Sequence, residues 1–213
     1  MNFESMHGDG CVKALPPDGV IEYRSSWLSA DQADACFETL AEEIDWQRRS
    51  IRLFGKRVLQ PRLICFQGDP GVEYRYSGDV HVASGWHPLV AELRNRLEAV
   101  GDDRFNSVLL NLYRDGDDCM GWHADDEPEL GRNPVIASIS LGGVRRFMLR
   151  DRTERTKRFE LQPAHGSLIL MRGALQHHWQ HQVPRTRRPV GRRINLTFRR
   201  VVCPRPERAE PKR

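Results

Sequence analysis

The sequence predicts an α+β fold in which helices come first and a jelly-roll sandwich follows. Three observations carry this. Segments with helical spacing lie in the first half of the chain, short strand-like segments fill the second half, and turn pairs such as Gly142-Gly143 and His165-Gly166 separate those strands. Helices followed by many strands suggest an α+β chain with a β-sandwich or barrel core. About eight strands close most simply as a jelly roll.

Residues 1–20 carry Gly8, Gly10, Pro16, Pro17 and Gly19 and read as a flexible leader. The first helix starts after Ser29, with Gln32 as its capping-box partner. Ala33, Cys36, Phe37, Leu40, Ala41 and Ile44 then form one apolar face. The second helix opens at Pro88, presents Leu89, Leu93 and Leu97, and stops near Gly101. Strands follow over 107–114, 135–141, 146–150, 158–161, 167–171, 179–183 and 194–202. Residues 203–213 are polar and broken by proline, a disordered basic tail.

At 213 residues the chain has room for one domain with a real core. Its net charge of +4 says little, but residues 185–200 carry seven arginines and no acid, a surface that suits a polyanion. Five cysteines without a close pair argue against a disulfide framework or a cysteine zinc site, and so for a reducing compartment, cytoplasmic or nuclear. There is no apolar run long enough to span a membrane and no signal-peptide pattern at the start.

The chemistry centres on His123-Ala124-Asp125. Two such residues flanking one position in an extended segment point the same way and reach one metal from one side. A distant histidine would complete a 2-His-1-carboxylate group with positions left open. The pair is weak evidence alone, since His7-Gly8-Asp9 repeats it in the leader. Candidates for the third ligand are His165, His177, His178 and His181 in the late strands. His165 reads as a turn histidine, and of the adjacent His177 and His178 at most one points inward.

Together these residues resemble the AlkB family of iron(II)- and 2-oxoglutarate-dependent nucleic-acid dealkylases. The resemblance runs from about Leu53 to Val202. It rests on Asn111-Leu-Tyr113-Arg, Gly121-Trp-His123-Ala-Asp125-Asp-Glu127, Ile136-Ala-Ser138-Ile-Ser140-Leu-Gly142, Gln180-His181-Gln-Val-Pro184 and Arg193-Ile-Asn195-Leu-Thr197-Phe-Arg199. The text is most like the animal members of the third homologue type. Leu53-Phe54-Gly55-Lys56 is similar to a hairpin of the duplex-repairing type.

The resemblance implies one dioxygenase domain over 21–202 with a double-stranded β-helix core, N-terminal helices packed on one sheet and a nucleotide-recognition region at 50–85. It implies that His123, Asp125 and His181 hold Fe(II), and that Asn111, Tyr113, Arg193, Asn195 and Arg199 bind 2-oxoglutarate. Phe54, Arg62, Tyr74, Tyr76, Trp122, Asp126 and Glu127 would meet the substrate. The activity implied is oxidative demethylation of N1-methyladenine and N3-methylcytosine type lesions in DNA, with RNA also open. It consumes O2 and converts 2-oxoglutarate to succinate. A monomer without a membrane partner is expected. The competing readings are a relative acting on tRNA or protein, and a nucleic-acid-binding module with a dead site. A zinc hydrolase lacks its HExxH pattern here.

Overall fold

A computed structural model of the protein describes residues 4–5, 10–53, 56–76, 79–83 and 85–202. Strand β1 (Glu4–Ser5) is followed by the hairpin of β2 (Cys11–Leu15) and β3 (Gly19–Arg24), then by helix α1 (Ala30–Glu43). Two further hairpins, β4 (Ser50–Leu53) with β5 (Lys56–Leu59) and β7 (Glu73–Tyr76) with β8 (Asp79–Val82), flank β6 (Leu63–Gly68). Helix α2 (Pro88–Glu98) leads to β9 (Ser107–Tyr113), β10 (Met120–His123), β11 (Ile136–Gly142), β12 (Phe147–Asp151), β13 (Arg158–Leu161) and β14 (Ser167–Gly173). A single turn, α3 (Leu175–His178), precedes β15 (Trp179–Val183) and β16 (Arg193–Arg199).

Among the described residues the strands form a seven-stranded sheet, β2-β3-β14-β11-β16-β9-β6, and a five-stranded sheet, β1-β13-β12-β15-β10. They make the two layers of the jelly roll. Both predicted helices cover the outer face of the larger sheet. Leu40, Val90, Leu93 and Leu97 pack there against Leu110, Leu112, Ile139, Ile194, Leu196 and Phe198. A second core fills the space between the layers, with Phe147, Leu149, Phe159 and Leu161 facing Ile169, Met171 and Tyr113. Each fully buried aliphatic or aromatic side chain of this kind contributes roughly 1.5–3 kcal/mol.

Helix starts follow the local chemistry. Ser29 Oγ accepts from the Gln32 amide at 3.3 Å and Gln32 Oε1 accepts from the Ser29 amide at 3.2 Å. At α2 the cap is His87, whose Nδ1 accepts from the Leu89 amide at 3.3 Å. His165 is a structural turn residue: its Nδ1 accepts from the Gly142 amide at 2.7 Å, and its Nε2 lies 3.1 Å from Asp34 on α1. Gly142 has φ 80°, and a Cβ there would meet Phe37 of α1 at 2.6 Å, so helix and sheet touch backbone to ring at this point.

The leader expectation needs correction from residue 10 onward. Cys11–Leu15 pairs antiparallel with Gly19–Arg24 and extends the larger sheet through β14. The prolines and glycine that read as loose chain are the turn of this hairpin, with Asp18 at φ 53°. Residues 203–213, read as a tail, lie outside the described residues. No helix among the described residues is long and apolar enough to cross a membrane.

Candidate active site

Strand alternation builds the site. In β16 the apolar set Ile194, Leu196 and Phe198 faces the helices, which turns Arg193, Asn195, Thr197 and Arg199 toward the gap between the layers. All seven residues of β16 are buried. The neighbouring strands repeat the pattern in register: Arg193 opposes Tyr113, Asn195 opposes Asn111 on one side and Ser140 on the other, and Thr197 opposes Ser138. The larger sheet therefore carries a buried polar face.

The smaller sheet supplies the other wall. His123 at the end of β10 pairs with His181 in β15, and Asp125 follows two residues on. One ligand atom from each of these three residues lies within 4.8 Å of the others. The imidazole rings are 4.1 Å apart, centre to centre. His123 Nδ1 donates to the Gly121 carbonyl at 2.9 Å. A carbonyl only accepts, so Nε2 keeps its lone pair. Burial first, and then competition with the adjacent His123 for a proton, push His181 down to about 3 against the pull of Asp125. Burial pushes His123 down as well. Both rings are thus neutral and able to ligate. Burial opposes the charge of Asp125, but the always-charged guanidinium of Arg199, which also donates to it, outweighs burial and holds the carboxyl at about 2.

The polar atoms without protein partners show what is meant to arrive. Arg199 Nη2 donates to Asp125 Oδ1 at 2.8 Å, while Asp125 Oδ2 is buried with no hydrogen-bond partner. Arg193 Nη2 donates to Ser140 Oγ at 2.9 Å, while its Nε and Nη1 are buried and unpartnered. A buried charge in that state is costly unless something completes it. A divalent cation completes Asp125 and a carboxylate completes Arg193, so the residues fit a metal and an oxo-diacid. Tyr113 lies under the Arg193 guanidinium, 5.3 Å from the ring centre. Asn195 is held by Ser138 Oγ at 2.8 Å and the Ile139 carbonyl at 2.9 Å, and Asn111 accepts from Arg62 Nε at 2.6 Å. Ser138 and Ser140 stood in the predicted central strand, but strand spacing alone did not single them out as the hydroxyls that orient Asn195 and Arg193.

The substrate-side residues divide. Tyr74 is buried, stacks on Phe66 at 5.9 Å and has the Arg199 guanidinium 5.7 Å from its ring centre. Glu127 lies against the Tyr74 hydroxyl, and burial together with Asp125 pushes its carboxyl up to about 7. Arg62 is buried beside Asn111. These three adjoin the His-Asp-His group. Asp126 instead forms an ion pair with Arg152 and is exposed. Trp122 departs from expectation: as the neighbour of His123 in a strand it points to the opposite face, 4.3 Å from the Arg150 guanidinium, and does not line the cavity. Tyr76 belongs to β7 by its backbone, and Phe54 lies outside the described residues.

The chain matches the model of the 2OG-Fe(II) oxygenase superfamily over residues 21–199. It is 40% identical over 184 residues to alpha-ketoglutarate-dependent dioxygenase alkB homolog 3 of Bos taurus, covering 82% of this chain and 64% of that protein. The human protein of the same name is 36% identical, over 88% of this chain and 69% of the relative. DNA oxidative demethylase ALKBH2 of Mus musculus is 37% identical, over 80% of this chain and 76% of the relative. The solved structure of OsALKBH1 superposes with a TM-score of 0.61 at 16% identity, covering 89% of this chain and all of that one, a likeness of fold.

Proposed function

Because this chain belongs to the AlkB branch of the 2OG-Fe(II) oxygenase superfamily, we propose that it is an oxidative demethylase of N-alkylated nucleic-acid bases, working as a monomer. The observation that carries the site assignment is the pairing of unmet needs inside one cavity: a partnerless Asp125 Oδ2 beside two neutral histidines, and two partnerless Arg193 nitrogens across from them. Fe(II) with 2-oxoglutarate and O2 supplies the oxidising power, leaving succinate.

The protein's own residues do the rest. His123, Asp125 and His181 hold the metal. Arg193, over Tyr113, takes the outer carboxylate of 2-oxoglutarate through charge-assisted bonds, and Asn111, Asn195 and Arg199 line the end nearer the metal. Arg199 serves twice, since its contact with Asp125 also keeps that carboxylate ionised for the cation. Glu127, Tyr74 and Arg62 receive the flipped-out base. A methylated base of the N1-methyladenine or N3-methylcytosine type is cationic and poorly paired, so it flips at lower cost, and a carboxylate beside it favours it.

Turnover of methylated oligonucleotides with Fe(II) and 2-oxoglutarate tests this, with single- and double-stranded DNA and with RNA. The expected result is unmodified base and succinate in equal amounts. Succinate release without any change in the base would move the substrate elsewhere, to tRNA or protein. Neither product would mark a binding module.

A further inference from the structure

We propose that Gln176 is a positioning residue: it fixes Asp125 against His181 and so sets how tightly the His123–Asp125–His181 group holds a divalent metal. The inference rests on the reading of that group as the metal site.

Asp125 lies beyond the end of β10, outside any strand, so its amide has no ladder partner. Gln176 Oε1 accepts from it at 3.0 Å. Gln176 itself is 1% exposed, and among the described residues its Nε2 meets only the sulfur of Met171, at 3.6 Å, a weak acceptor. A leucine or methionine would fill the same space without burying an amide. What glutamine adds at this point is the bond to Asp125.

The position of Gln176 gives that bond its consequence. It belongs to α3, the turn directly ahead of β15, and His181 follows five residues later. One side chain therefore ties the segment that carries Asp125 to the segment that carries His181. A second tie secures the same turn. Arg152 donates through Nη1 to the carboxylate of Asp126 and, at 3.3 Å, to the Gln176 carbonyl, while its amide donates to the His178 carbonyl at 2.8 Å. With its backbone pinned by Gln176 and Oδ1 held by Arg199, the Asp125 side chain keeps Oδ2 in one place relative to His181 Nε2, 4.0 Å away. Outer partners that orient metal ligands in this way govern metal affinity.

The test is titration of the metal-free protein with Co(II), comparing wild type, Q176M and H181A, with melting temperatures recorded alongside. Q176M keeps the volume and removes the acceptor. It is expected to raise the Co(II) Kd by about 10–100-fold and to change the visible absorption band of the bound ion. A folded Q176M with wild-type affinity and spectrum overturns the proposal, even if it melts lower, because that is the behaviour of an ordinary core residue. If Q176M does not fold, Q176N carries the test. It keeps an amide but draws the oxygen back by one carbon, and the same loss of affinity is expected, with wild-type affinity again overturning the proposal. Wild type and H181A binding Co(II) equally would overturn the metal-site reading itself, and this proposal with it.

Discussion

Asp125 shows how much one residue can be asked to do. Its amide is held by Gln176, one carboxylate oxygen by Arg199, and the other is left for a cation. Asp125→Ala removes a ligand and strands the buried Arg199 charge. We therefore expect loss of Fe(II)-dependent turnover together with a lower melting temperature, whereas His181→Ala should lose turnover with little change in stability. His178→Ala should keep activity, since His178 does not line the cavity. Calorimetric metal titration and product assay on the three variants check this, and an active His181→Ala would remove it from the ligand set. Arg193 is the matching test for the cosubstrate. Each charged hydrogen bond is worth about 1.5–3 kcal/mol, so Arg193→Ala should raise the KM for 2-oxoglutarate by ~10–100-fold and leave oligonucleotide affinity nearly unchanged. An unchanged KM would refute the assignment.

At the scale of elements, legibility followed periodicity. Arg193-Ile-Asn-Leu-Thr-Phe-Arg199 alternates strictly, and two polar residues between two arginines on one side of a strand announce a face that is not ordinary core. The same alternation, applied to Trp122 beside His123, would have turned the tryptophan outward, but adjacency to the motif drew it into the site. The β2–β3 hairpin was hidden because its Pro16-Pro17-Asp18-Gly19 turn has the composition of loose chain. Gln176 left no local trace, since its partner is 51 residues away. The link between β9 and β10 was equally unreadable. There Asp118, buried, accepts from Arg114 Nε at 2.8 Å, Nη2 at 2.9 Å and the amide at 2.9 Å, fixing the path from Tyr113 to His123. Burial opposes the charge of Asp118, but the bonds from Arg114 prevail and its carboxyl titrates below the usual range. A depressed carboxyl stabilises the fold above its unfolded pKa and loses that contribution as pH falls through the folded one. Asp118→Asn should therefore cost about 1–3 kcal/mol at neutral pH, or ~3–10 °C in Tm. The gap to wild type should close below about pH 4. A gap independent of pH would mean that packing, not charge, holds this link.

For the whole molecule the decisive feature is how its arginines are divided. The stretch 185–200 reads in sequence as one basic run, yet the fold splits it. Arg193 and Arg199 are buried in the cavity, Arg193 against Ser140 and Tyr113 and Arg199 against the Asp125 carboxylate, while Arg185, Arg187, Arg188, Arg192 and Arg200 stay exposed. Only the exposed group can meet a phosphate backbone. Each phosphate neutralised on a single strand adds about 0.7 to the slope of log affinity against log salt. Replacing Arg185, Arg187 and Arg188 together by alanine should then flatten that slope by up to ~2 for a methylated single-stranded oligonucleotide. The KM for 2-oxoglutarate should not move, because none of the three lines the cavity. Arg193→Ala should do the reverse, leaving the salt slope intact and raising that KM. The measurement is the initial rate of demethylation across a salt series at limiting oligonucleotide. If the triple variant kept the wild-type slope, the exposed arginines would be solvated surface and the polyanion would be held elsewhere.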